Sequence, residues 1–242
     1  MGSGLIFAVL LNSAMKDGIL PRLYGPYEKP RWNIMNFSQI FFDPRGFFLD
    51  ILYRVPGILI AFTVHEFSHA GVAVLLGDDT PRRDGRLTLN PFAHVDWVGA
   101  LMLLLFGFGW AKPVTVTPGN FKKPRRDDLL VSLAGPVSNL LLAFLLFPII
   151  AYVHIPTVSP FLNTAYTINV SLFILNMIPV PPLDGYHVVK SLFARKHLKF
   201  FWNVERFGFM LLILLSFLGA LGMVIGFGMT YITAFFSFIF LR

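Results

Sequence analysis

Two histidines and a glutamate interrupt an otherwise apolar stretch of the chain, Ile58 to Gly77. His65 and His69 are four residues apart, so on an α-helix both imidazoles stand on one face, with Glu66 on the adjacent side. The pattern H-E-x-x-H is typical of two zinc ligands beside a carboxylate that takes a proton from water. The alternative is a pair of helix histidines that only form hydrogen bonds. Ionisable groups at membrane depth cost a few kcal/mol each, which favours a functional site. We expect Pro56 to mark the start of this helix, which would place His65 ~14 Å inside the membrane.

A catalytic zinc site usually has a third protein ligand and an open position for water. Asp184 is the best candidate, because it follows a run of prolines that ends the apolar stretch Phe161 to Pro179. Non-helical backbone at membrane depth is tolerated where it lines a hydrated cavity, which suits a metal site. The competing interpretation makes Asp184 the cap of a helix that begins at Gly185. The other candidate ligands are Asp78, His94, Asp96 and His187.

The composition indicates that these groups belong to a membrane protein. Of the 242 residues, 55% are hydrophobic and only 14% are charged, and the mean hydropathy is +0.67. Several apolar runs approach or exceed the ~20 residues that cross a bilayer. The four long runs are Ile58 to Gly77, Leu129 to Val153, Phe161 to Pro179 and Phe207 to Phe240, the last being one tilted helix or a hairpin broken around 219–228. Two shorter runs are Leu5 to Met15 and Val98 to Phe108.

The positive charge indicates membrane topology rather than nucleic-acid binding. The formal net charge is +7, and the basic residues form short clusters beside apolar runs, as in cytoplasmic loops. We interpret 97–109 as re-entrant or peripheral rather than crossing, because this places the clusters at 82–86, 122–126 and 195–199 all on the cytoplasmic side. The chain has no cysteine, which excludes disulfides and thiolate ligands.

Beyond the histidine motif, the sequence resembles the site-2 protease family of intramembrane zinc metalloproteases (peptidase M50). It is most similar to the short bacterial and archaeal type without PDZ or CBS domains. The matching stretches extend from about Pro56 to Lys199. They are HEFSH at 65–69, GRLTLNPFAHVDWVG from 85, GWAKPV from 109, LAGPVSNLLLA from 133 and NMIPVPPLDG at 176–185.

The resemblance implies roles for individual residues. His65, His69 and Asp184 would bind one Zn²⁺ per chain, Glu66 would be the general base and acid, and Asn176 would hold the substrate or polarise its carbonyl. The apolar runs predict an all-α polytopic membrane protein with about 4–6 transmembrane helices, and the resemblance supports a small membrane-associated β hairpin or sheet. We expect an N-terminal membrane-associated segment at 1–55, a metalloprotease core at 56–200 and a C-terminal transmembrane segment at 201–242.

The stretch Trp110 to Phe121 is rich in valine and threonine, which favours extended chain. Pro113 and Pro118 restrict it to an edge strand, and such an edge could pair with an unwound substrate through main-chain hydrogen bonds. An ordinary interhelical loop is the alternative. The substrate-binding candidates from this region are Lys112, Pro113, Val114, Thr115 and Val116. Asn139 is a further candidate, although helix packing is favoured for it.

These observations together predict an intramembrane zinc metalloprotease that cleaves transmembrane protein substrates in or near their membrane segments. We expect a multi-pass protein of the cytoplasmic membrane, in contact with the lipid bilayer and not with nucleic acid, whose active site opens toward the cytoplasm. Two alternatives stay open. A metal-ion transporter would use the three ligands along an ion path but has no need of Glu66, and a catalytically idle scaffold would only bind membrane proteins.

Overall fold

The computed structural model describes residues 42–99, 111–153 and 155–241. The predicted N-terminal run Leu5 to Met15 and most of the predicted re-entrant run 97–109 lie outside these residues. The helices are α1 (Pro44–Leu75), α2 (Thr80–Arg83), α3 (Pro124–Tyr152), α4 (Ser159–Asn176), α5 (Asp184–Phe217) and α6 (Ala220–Phe240). Two single 3₁₀ turns, Pro91–Ala93 and Pro118–Asn120, lie between α2 and α3.

Helix α1 begins twelve residues before the proline that was expected to mark its entrance. Asp43 caps it, with its carboxylate accepting a 2.9 Å hydrogen bond from the Gly46 N–H, and Pro44 fits the first turn, where no N–H is needed. Pro56 therefore lies inside the helix, and the expectation that it marks the entrance is wrong. The boundary drawn at 55/56 falls within α1.

The core of the bundle lies between α3, α4 and α6. Phe147 of α3, Val170 of α4 and Phe236 of α6 are buried in one cluster, and Tyr166 donates or accepts a 2.9 Å hydrogen bond with Thr233. A second cluster joins Ala73, in the last turn of α1, to Phe121, just before α3, and to Val131, in the second turn of α3. The C-terminal end of α1 and the N-terminal end of α3 are therefore side by side.

Helix α5 is bent, and a glycine separates it from α6. The Tyr186 hydroxyl donates a 2.9 Å hydrogen bond to the Phe201 carbonyl, fifteen residues later, whereas a straight helix would rise ~22 Å over that distance. The predicted run Phe207 to Phe240 is broken at Gly219, which has a φ of 72°. This left-handed conformation often ends a helix, and glycine adopts it without a steric penalty because it has no Cβ.

The predicted fold class is wrong in two respects. Three of the described helices, α1, α3 and α6, are long and apolar enough to cross a membrane, rather than four to six. Helix α4 contains asparagine at 163, 169 and 176, and the first half of α5 carries charged residues, which lowers the hydropathy of both.

The predicted β hairpin is the second error. The described residues contain no strand, only an isolated antiparallel bridge between Val95 and Ala111. The chain after Ala111 is extended but has no partner strand among the residues that the structure describes. Pro113 and Pro118 lack an N–H, and carboxylate side chains accept the N–H groups of Val114 and Thr117, so these cannot form a ladder.

Candidate metal centre

The two motif histidines lie on one buried face of α1. Their Nε2 atoms are 3.1 Å apart, and both side chains are nearly inaccessible to solvent. His65 is ten residues from the C-terminal end of α1, or ~15 Å along the helix, about half the thickness of the hydrocarbon core. The pair is thus deep within an apolar helix.

Asp184 completes the group from 115 residues further along the chain. Its Oδ2 atom is 3.1 Å from His65 Nε2 and 3.4 Å from His69 Nε2. The alternative role, in which Asp184 caps the helix, does not hold, since α5 begins at Asp184 itself and Leu183 is the N-cap residue. Gly185 makes the placement possible, because a Cβ there would be 2.5 Å from the Met177 carbonyl oxygen of the preceding turn.

Hydrogen bonds fix the tautomer of each histidine. His69 Nδ1 is 2.7 Å from the Val131 carbonyl, which can only accept, so Nδ1 carries the hydrogen. His65 Nδ1 is 2.7 Å from Asn139 Oδ1 and donates in the same way. In neutral rings the Nε2 atoms then carry lone pairs, and both point at the Asp184 carboxylate.

This convergence of acceptors fits a bound cation. Asp184 Oδ2 is buried and has no hydrogen-bond partner, apart from its approach to the two imidazoles. Among the described residues, this is the one group of three or more histidine, cysteine or acidic side chains placed to hold a metal ion. The three separations of 3.1–3.4 Å also match the roughly 3.3 Å ligand spacing of a tetrahedral site with bonds of ~2.0–2.1 Å.

Gly135 of α3 leaves the space that an ion would need. A Cβ at this position would lie 2.4 Å from His69 Nε2 and 2.6 Å from His65 Nε2. Any larger residue would therefore place carbon where the ligand atoms converge. The contact of Gly135 with the two histidines depends on how α3 crosses α1.

Glu66 is adjacent to His65, His69 and Asp184, which together are called the metal-directed group below. It is held by the segment after Ala111. Its Oε2 atom accepts a 3.1 Å hydrogen bond from the Val114 N–H. Of the predicted substrate-binding residues, Lys112, Pro113 and Thr115 are exposed, while Val114 and Val116 are half-buried. The alternation is that of an extended chain with one face on the protein.

The two predicted asparagines occupy different environments. Asn139 is fully buried, and besides accepting from His65 it donates to the Ala61 carbonyl (3.1 Å) and to Asn169 Oδ1 (2.9 Å). Asn176, the last residue of α4, donates to the Leu172 carbonyl of its own helix at 3.0 Å. Sequence reasoning missed Asn169, although a polar residue within an apolar run was a signal for it.

The other candidate ligands lie away from this group. Asp78 and Asp96 accept hydrogen bonds from loop residues, including Thr117 for the first and Gly99 for the second. His94 is buried beside the Thr88 carbonyl, and the His187 ring packs on Tyr186. Asp184 is thus the third member of the metal-directed group.

Comparison with known proteins gives concordant matches. The family model "Peptidase family M50" matches residues 151–217. The chain is 41% identical over 173 residues to "Putative zinc metalloprotease YwhC" of Bacillus subtilis, covering 67% of this chain and 79% of the relative. It is 29% identical over 175 residues to "Putative zinc metalloprotease Rip2" of Mycolicibacterium smegmatis, covering 69% and 67%. "Putative zinc metalloprotease MJ0611" of Methanocaldococcus jannaschii is 26% identical over 160 residues, covering 65% and 80%. No solved structure matches the chain significantly.

Proposed function

The chain belongs to peptidase family M50, the site-2 protease family, and from that premise we infer that it is an intramembrane zinc metalloprotease. Its substrates are membrane proteins cleaved within or near a transmembrane segment. The observation that carries the proposal is the convergence of His65, His69 and Asp184 beside Glu66, deep within the apolar helix α1. The metal is one zinc ion per chain, held by those three side chains.

The chemistry divides between the ion and Glu66. Bound zinc supplies a Lewis acid that polarises the scissile carbonyl and lowers the pKa of water. Glu66 removes a proton from the attacking water, whose oxygen forms the new bond to the carbonyl carbon. Glu66 then gives that proton to the amide nitrogen as the C–N bond breaks, which releases a carboxyl and an amine product.

The substrate is proposed to lie along the extended chain at 112–116. A peptide in a helix hides its carbonyls in its own hydrogen bonds, so the substrate must unwind before hydrolysis. The outer edge of this stretch, around the exposed Thr115, offers main-chain groups to an unwound segment. Asn176, at the end of the helix that leads to Asp184, is the proposed side-chain contact to the substrate.

We propose that the protein resides in the cytoplasmic membrane with its basic loops and the opening of its active site on the cytoplasmic side. The basic groups at 82–86 and 122–126 support this orientation, because Ala73 packs against Phe121 and brings both groups to one end of the bundle. Because lysine and arginine are enriched in cytoplasmic loops, this end of the bundle is assigned to the cytoplasmic side.

The test compares wild type with Glu66→Gln on a panel of single-span membrane proteins in proteoliposomes, with cleavage sites mapped by mass spectrometry. The substitution keeps size and hydrogen bonding but removes the base, so we expect bound zinc to persist and turnover to fall ~10²–10⁴-fold. Undiminished turnover in Glu66→Gln would contradict the mechanism. Zinc flux without proteolysis by the wild type would indicate a transporter, and binding without cleavage a scaffold.

A further inference from the structure

The loop residue Asp78 is fully buried, and donors surround both of its carboxylate oxygens. Oδ2 accepts from the Thr117 N–H at 2.7 Å, and Oδ1 accepts from Asn120 Nδ2 at 2.7 Å. Oδ1 also accepts from the Thr80 hydroxyl at 2.6 Å and the Thr80 N–H at 3.1 Å. Burial by itself raises the pKa of Asp78, but these hydrogen bonds outweigh burial, so the pKa lies below its usual value and the carboxylate is ionised at neutral pH.

These bonds attach one end of the extended segment 111–117 to the C-terminal end of α1. Its other end is held by the bridge between Val95 and Ala111 and by the Lys112 N–H, which donates to the His94 carbonyl at 2.8 Å. Between these attachments, the Val114 N–H donates to Glu66 Oε2. The segment is thus fastened on both sides of its contact with Glu66.

A glutamate side chain has three rotatable bonds, and a base that works on water must be held in one orientation. The Val114 N–H is the hydrogen-bond donor to Glu66 within the described residues, and it holds one oxygen while the other is left to accept a proton. The position of this N–H depends on the segment, which Asp78 anchors three residues further on.

We propose that Asp78 and the Val114 N–H are positioning groups for the reaction: Asp78 anchors the segment 111–117, and the segment in turn orients Glu66. This inference rests on the proposed function, since it assigns Glu66 the role of base. It makes the segment part of the catalytic apparatus in addition to its proposed contact with substrate.

The test uses two substitutions that break the chain of contacts at different points. Asp78→Asn replaces one acceptor oxygen with a donor, so a carboxamide cannot satisfy the donors on both sides. Val114→Pro removes the N–H that holds Glu66. Asp79→Asn is the matched control, because Asp79 is an exposed neighbour whose described bond is a surface pair with Arg82. Each purified variant is assayed for zinc content, thermal stability, kcat and KM on a reporter fused to a single-span substrate.

We expect kcat to fall at least ~10-fold in Asp78→Asn and Val114→Pro, with zinc content retained and with a smaller change in KM, since the segment also contacts the substrate. Asp79→Asn should behave as wild type. Wild-type kcat in either zinc-loaded variant would overturn the inference. The inference would also be overturned if, in both variants, activity fell only in proportion to the amount of zinc or of folded protein lost. Asp78 would then be merely structural. Absence of proteolysis by the wild type would instead reject the proposed function.

Discussion

His65 and Asn139 are joined across the α1–α3 interface by a 2.7 Å hydrogen bond between Nδ1 and Oδ1. Asn139 is oriented in turn by Asn169 of α4, whose own amide donates to the Ala165 carbonyl at 2.8 Å. His65, one of the proposed zinc ligands, is thereby held by three helices. Such outer contacts set the tautomer and direction of the ligand, and their loss typically lowers metal affinity ~10–100-fold.

Asn139→Ala should therefore weaken zinc binding by about that factor, because His65 loses the acceptor that keeps hydrogen on Nδ1. Competition with a chelator of known affinity measures the change. Asn163→Ala is the control, since Asn163 lies on α4 as Asn169 does, and its side chain makes no hydrogen bond within the described residues. Equal zinc affinity in Asn139→Ala and wild type would show that ring packing alone orients His65.

Gly135→Ala should abolish stoichiometric zinc binding, because the added methyl would lie 2.4–2.6 Å from Nε2 of both His69 and His65, the proposed ligand atoms. We expect occupancy to fall at least about tenfold, as measured by metal analysis of the purified protein. Gly222→Ala is the matched control, since a Cβ there meets no atom within 4 Å. If Gly135→Ala held a full zinc ion, α3 would have to lie further from α1 than it does here.

Asp184→Ala tests the proposed third zinc ligand. Removing one of three protein ligands should lower zinc occupancy and, with it, proteolysis. His187→Ala is the comparison, because His187 lies one turn further along α5 but packs on Tyr186. Full occupancy and activity in Asp184→Ala, with loss in His187→Ala, would transfer the role to the histidine.

Thr115→Pro tests whether substrate pairs with the segment 111–117. The Thr115 N–H has no hydrogen-bond partner among the described residues, so its removal spares the internal contacts of the segment. We expect a strong fall in cleavage with zinc retained, and a smaller loss for Thr115→Val, which keeps the N–H and the extended propensity. Wild-type cleavage by Thr115→Pro, with no crosslink from single cysteines at 112–116 to a substrate cysteine, would show an ordinary loop.

Substrate unwinding gives an independent prediction. Glycine or proline placed near the scissile bond should raise the cleavage rate, because each lowers the cost of opening the substrate helix by ~1–3 kcal/mol. Alanine at the same positions is the control for side-chain removal. Rates compared by quantitative gel assay under single-turnover conditions should rank the glycine and proline substrates above alanine, and the reverse order would argue against unwinding as a barrier.

The sequence alone determined the parts of the site that depend on local periodicity. His65 and His69 are four residues apart on one helix, so their shared face follows from 3.6 residues per turn whatever surrounds α1. The apolar runs that became α1 and α3 were also predictable, because burial in lipid requires a minimum apolar length. The resemblance of separated motifs indicated Asp184 as their partner.

Only the tertiary structure decided which distant groups meet the histidines. Asn139 and Gly135 are four residues apart and lie on the same face of α3. Nothing in that spacing shows that Asn139 would orient His65, or that Gly135 would leave room for an ion. The β prediction failed for a related reason. Extended propensity at 111–117 is local, whereas the partner of each N–H is not, and here Glu66 and Asp78 accept the bonds that a neighbouring strand would otherwise have taken.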